Sequence, residues 1–228
     1  MFLIGGGTDE PGFIASHTAF AEAARVASGG EICVVMLHHE GLAYVDPLLD
    51  RLARLGLRPR PMIVSADSPP TAVEGSVVYV AGGDTPGYQE ALCGDTTWLG
   101  EVTIYAGFSA GAVVAAGCAL VGGWWADGVP ICDSEVSEGL RDVEVRPGLS
   151  LTDATVDVHC AQWGTLPRLI HGVQAAGVQR GWGLDEGTTL ELRHGVAQAV
   201  HGNGAVWSVE AASPGESVTV RRHLAGRL

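Results

Sequence analysis

Along the first two thirds of the chain, short β-branched runs alternate with longer Ala-rich stretches. Phe2–Ile4, Ile32–Leu37, Pro61–Val64, Val77–Ala81 and Val102–Ala106 are of the first kind and predict strands. Helices are predicted over Phe13–Ala27, Leu42–Leu55, Tyr88–Leu92 and, further on, Leu166–Ala176. The first of these stops at Gly29-Gly30, residues suited to the left-handed turn that ends a helix. Strands and helices in alternation predict an α/β fold with a mostly parallel central sheet and helices on both faces.

After the strand predicted over Val156–His159 and the helix beyond it, the pattern changes. Thr188–Arg193, Val196–Val200, Ala205–Glu210 and Ser217–Arg222 are short and separated by Gly and Asn turns. They predict antiparallel hairpins closing one edge of the sheet at the C-terminal end. No repeat, low-complexity segment or linker interrupts residues 1–228, which read as a single domain.

Composition narrows the chemistry. Apolar residues make up 46% of the chain and charged residues 17%, a globular balance. No apolar stretch approaches the roughly 20 residues of a membrane helix. The Met1-Phe-Leu-Ile-Gly-Gly-Gly start has neither the positive flank nor the long apolar region of a signal peptide. A net charge of −13 disfavours nucleic acid and anionic membranes as partners. All basic residues are Arg, so lysine chemistry is excluded: no P-loop, no Schiff base, no Ser-Lys dyad. Cys33, Cys93, Cys118, Cys132 and Cys160 are scattered and form no C-x-x-C pair, which suits reduced thiols in a cytoplasmic protein.

Gly107-Phe-Ser-Ala-Gly111 fits G-x-S-x-G between a predicted strand and a predicted helix. A sharp turn there lifts the Ser109 hydroxyl above the sheet, and small neighbours avoid a clash. The N–H of Ala110 then faces a developing oxyanion. An ordinary turn containing serine would leave the same letters, but the flanking strand and helix favour a nucleophile. Val77–Ala81 runs into Gly82-Gly83, and Gly83 is suited to bring a second N–H close to a bound carbonyl. Both corners fall at the carboxyl ends of strands, where parallel sheets place ligands.

Among eight histidines, His159 ends a predicted strand and is the best-placed base for Ser109. His38-His39 with Glu40 is a weaker metal candidate, read as solvated rim residues. Asp185 and Glu186 precede a strand and offer a carboxylate to orient the histidine.

Taken together, Val80-Ala-Gly-Gly-Asp-Thr85, Gly107-Phe-Ser-Ala-Gly-Ala112, Gly148-Leu-Ser-Leu151, Asp157-Val-His159 with Arg168, and Gly183-Leu-Asp-Glu186 resemble the cyanophycinase and dipeptidase E family. The resemblance runs from Met1 to about Leu192. It implies a serine peptidase on a class I glutamine amidotransferase-like fold, without cofactor or metal, forming a homodimer. It makes Ser109 the nucleophile, His159 the base and, as in the cyanophycinase branch, Glu186 the third member. The dipeptidase E branch would instead use an aspartate between them, Asp127 or Asp133. Asp84, Thr85, Asp157, Trp163 and Arg168 become candidate substrate contacts.

The chain departs from the family where three spaced arginines follow the histidine. It keeps Arg168 but has Trp163 and Thr165 at the other two positions, with Val158 and Cys160 flanking His159. Arginines of that kind grip substrate carboxylates, so the specificity pocket reads as rebuilt and cyanophycin itself as a poor match. The expected activity is hydrolysis of a small acidic, β-aspartyl or dipeptide-like amide. Two other classes share some of these letters. An α/β-hydrolase esterase would pair Asp157 or Asp185 with His194 or His201. A non-catalytic binding protein would keep the elbow only as a turn. A glutamine amidotransferase would need cysteine at position 109. The Trp124-Trp125 pair reads as flap or core.

Overall fold

A computed structural model describes residues 1–7, 9–38, 42–213 and 217–228, with backbone alone at 42 and 43. In chain order its strands are β1 (Phe2–Ile4), β2 (Glu31–Leu37), β3 (Arg58–Val64), β4 (Val77–Val80), β5 (Ile104–Phe108), β6 (Cys118–Gly122), β7 (Trp125–Ala126), β8 (Val129–Pro130), β9 (Glu144–Pro147), β10 (Thr155–Val158), β11 (Arg180–Leu184), β12 (Thr188–Arg193), β13 (Val196–Gly202), β14 (Val206–Ala211), β15 (Val218–His223) and β16 (Gly226–Arg227). The α-helices are α1 (Glu10–Ser28), α2 (Leu42–Arg54), α3 (Thr85–Leu92), α4 (Ala110–Val114) and α5 (Leu166–Ala176).

The apolar runs become the centre of the molecule. All of β4 and nearly all of β2 and β5 are buried, as strands covered on both faces must be. Helix α1 starts three residues earlier than its apolar pattern. Asp9 caps it by accepting the Gly12 N–H at 2.7 Å, and Pro11 fits the first turn, where no N–H is needed. Gly29, at φ 64°, ends it as the sequence predicts.

The large sheet has the order β16-β13-β12-β1-β5-β4-β2-β3. Strands β1, β5, β4, β2 and β3 are mutually parallel, whereas β12, β13 and β16 add antiparallel neighbours beyond β1. The sheet is therefore mixed, which corrects the mostly parallel expectation. The cause lies at Asp185-Glu186-Gly187, where the chain leaves β11, turns, and returns beside β1 in the opposite direction.

A second correction concerns the hairpins. Only β12–β13 extends the large sheet. β14 and β15 join β10 and β11 in a separate four-stranded sheet. Helix α5 covers that sheet, burying Leu169 and Val173 against Val209 and Ala211. The His159 strand thus belongs to the smaller sheet, with its carboxyl end turned toward that of β5. Among the described residues no helix is long and apolar enough to cross a membrane.

Candidate active site

Ser109 sits between β5 and α4 at φ 53° and ψ −113°, a strained conformation for a residue with a side chain. Three hydrogen bonds hold the turn. The Ser109 N–H donates to the Ile4 carbonyl at 2.8 Å, Gly111 N–H to Ala81 at 3.1 Å, and the Tyr105 hydroxyl to the Gly111 carbonyl at 2.6 Å. The flanking glycines are required by close approach. A Cβ on Gly107 would lie 2.2 Å from the Gly111 carbonyl oxygen, and one on Gly111 2.2 Å from that of Val80. The small residues of G-x-S-x-G are thus demanded by backbone against backbone.

His159 follows β10 at φ 58° and is buried. Its Nε2 lies 2.9 Å from Ser109 Oγ, and its Nδ1 lies 2.8 Å from Glu186 Oε1. A carboxylate only accepts, so Nδ1 carries the proton and the Nε2 lone pair faces the hydroxyl. Burial pushes the imidazole pKa below its ordinary 6.5, while the Glu186 hydrogen bond and charge pull it back up. Trp163 stacks on the ring at 3.8 Å between centroids and 9° between planes, and its backbone N–H donates to the His159 carbonyl.

The Asp185-Glu186 pair divides the work. Asp185 is buried and accepts from the N–H groups of Ala161 and Ala205 and from the indole N–H of Trp207, tying the strand ends together. Glu186 turns the other way, to His159. Its own N–H donates to the Gln162 side chain at 2.9 Å.

The three glycines after β1 pass beside this relay. A Cβ on Gly6, whose φ is 95°, would stand 2.2 Å from His159 Cε1. Gly7 runs against Glu186. Their part in the site was not foreseen. Its signal, three glycines at the carboxyl end of the first strand, was present.

A cavity of 470 Å³ opens over Ser109, lined among others by Gly83, Phe108, Glu138, His159 and Trp163. Larger depressions of 690 and 1070 Å³ lie elsewhere, and their described linings include none of Ser109, His159 and Glu186. Of the candidate substrate contacts, Trp163 alone lines the cavity. Asp157 and Arg168 are buried behind it as a bidentate ion pair at 2.8 and 2.9 Å, and Arg168 also donates to the Val136 and Gly123 carbonyls. Burial opposes the Arg168 charge, but the Asp157 carboxylate outweighs it and raises the guanidinium pKa. Asp84 and Thr85 begin α3 outside the lining. Ala110 is buried immediately after Ser109.

Glu138 was not foreseen. It lines the cavity at φ 56°, held by the N–H and hydroxyl of Thr85, each at 3.3 Å. Burial pushes its carboxyl pKa up, and the Thr85 contacts pull the other way.

The alternative assignments separate from the site. Asp127 is exposed and lies near His171 at 3.5 Å, while Asp133 caps a short turn by accepting the Glu135 N–H. His201 pairs with Glu191, and His194 occupies the β12–β13 turn, so neither meets Ser109. His39 and Glu40 lie outside the described residues. Among those described, no three His, Cys, Asp or Glu side chains gather as a metal site. Trp124 and Trp125 pack edge to face at 5.3 Å, away from the cavity lining. In comparisons with known proteins, no protein-family model and no curated protein matches the chain.

Proposed function

We propose that the chain is a serine-type hydrolase that cleaves a peptide or related amide through an acyl-enzyme on Ser109. One observation carries the reading: Ser109 Oγ stands 2.9 Å from an imidazole nitrogen whose partner nitrogen is held at 2.8 Å by Glu186. Serine is a weak nucleophile until a base takes its proton as it attacks. His159 takes that proton while the hydroxyl oxygen bonds to the substrate carbonyl carbon. Glu186 keeps the useful tautomer and stabilises the imidazolium that forms.

The N–H groups of Gly83 and Ala110 receive the oxyanion. Ala110 begins a helix, and a first helical N–H has no partner within the helix. The imidazolium then protonates the leaving amine. Water enters, loses a proton to His159 and releases the acid product. The motif set supports a finer reading, a cyanophycinase- or dipeptidase E-like enzyme on a class I glutamine amidotransferase-like fold.

A fluorophosphonate probe tests this directly. Ser109 of the wild-type chain is expected to be labelled, with labelling abolished in Ser109→Ala and slowed by about 10³-fold or more in His159→Ala. A wild-type chain that stays unlabelled would overturn the reading.

A further inference from the structure

The charge around the Ser109 cavity comes from carboxylates. Its described lining includes the carboxylates of Glu138 and Glu186 and no arginine. Glu186 is engaged with His159. Arg168, whose charge does reach Glu138, is locked to Asp157. Among the described residues, Glu138 draws its hydrogen bonds from Thr85 alone. The main chain packs tightly to present this side chain, since a Cβ on Gly122 would lie 2.8 Å from Glu138 Cβ. Three aromatic residues, Tyr44, Phe108 and Trp163, complete the wall, and Trp163 is 46% exposed.

We propose that this cavity selects a cationic substrate, a peptide or amide whose ammonium or guanidinium group is held by Glu138 and by the aromatic wall of Trp163. The inference rests on the hydrolase reading and deepens it by naming the substrate charge. Aromatic faces attract cations, and a partly desolvated carboxylate without an ion partner gains most from one. A substrate carboxylate would instead face two carboxylates of its own sign. The net charge of −13 further concentrates cations near the molecule. Of the small acidic, β-aspartyl and dipeptide-like amides that the resemblance implies, an acidic one would call for arginines, and the described lining holds none.

Binding to the Ser109→Ala chain separates this inference from catalysis. Four dipeptide amides serve as calorimetric probes: Ala-Ala with a free amino terminus, and the acetylated forms of Ala-Ala, Arg-Ala and Glu-Ala. At least one cationic probe is expected to bind about tenfold or more tighter than acetyl-Ala-Ala and acetyl-Glu-Ala, the size of one charge-assisted contact. Comparing the two cationic probes tells a free amino terminus from a basic side chain. Adding Glu138→Gln is expected to erase the preference, and Glu138→Arg to turn it toward acetyl-Glu-Ala, in proteins checked for unchanged thermal unfolding. Equal affinities, a preference for the acidic probe, a preference that survives both substitutions, or no binding by any probe would overturn the inference. Failure of the hydrolase reading has a different signature, an unlabelled Ser109.

Discussion

At neutral pH an isolated serine hydroxyl keeps its proton, so what matters at Ser109 is the state of the imidazole 2.9 Å away. His159 accepts a proton only while neutral, and burial favours that form by lowering its pKa below 6.5. The acid limb of kcat/KM, which reports the base in the free enzyme, is therefore expected below pH 6.5. Glu186→Gln removes the two largest contributions that raise the pKa, so the limb should move lower still. The rate should fall by on the order of 10³–10⁴-fold as the tautomer is lost. A pH profile of a responsive substrate checks both, and an acid limb that moves upward in Glu186→Gln would refute the assignment. Stability follows the same sign. A histidine whose pKa is lowered by folding favours the native state above its unfolded value and weakens it as pH falls through that range.

At the scale of elements, the site is assembled from strand ends. Ser109 follows β5, His159 follows β10, Glu186 follows β11, and the glycine turn after β1 runs between them. That turn sets how closely the two sheets meet. Gly6→Ala would place a methyl group against the His159 ring in a backbone region that side chains rarely adopt. It is expected to cost about 1–3 kcal/mol and to displace the imidazole from Ser109. Thermal unfolding reads the first effect and loss of fluorophosphonate labelling the second; full labelling in Gly6→Ala would show that the turn does not position the base. The strand beneath Glu186 is hidden in the sequence for a related reason. In β11, Arg-Gly-Trp-Gly-Leu, the two glycines lie where Leu169 and Val173 of α5 press on the sheet. Such a strand shows no apolar run.

At the scale of the whole molecule, two sheets converge on one cavity, and the Asp157–Arg168 pair secures the smaller one. Asp157 lies in β10 and Arg168 in α5, while the guanidinium reaches the carbonyls of Val136 and Gly123 on the 118–147 excursion. Removing one partner strands a buried charge. Arg168→Leu is therefore expected to destabilise the fold by about 3–5 kcal/mol in urea unfolding. A loss under about 1 kcal/mol would show that the pair carries little of the architecture.

Much of this was legible in the chain itself. Apolar runs marked the buried strands, Gly29-Gly30 marked the end of α1 but not its start at Glu10, and the spacing of Gly107, Ser109 and Gly111 marked a turn too tight for large side chains. These are local properties, set by neighbours a few positions away. The mixed sheet, the second sheet, the burial of Asp157 with Arg168 and the placing of Glu138 in the cavity were decided only by tertiary structure. Each brings together residues far apart in sequence, and no local propensity records which charges will face one another once water is gone.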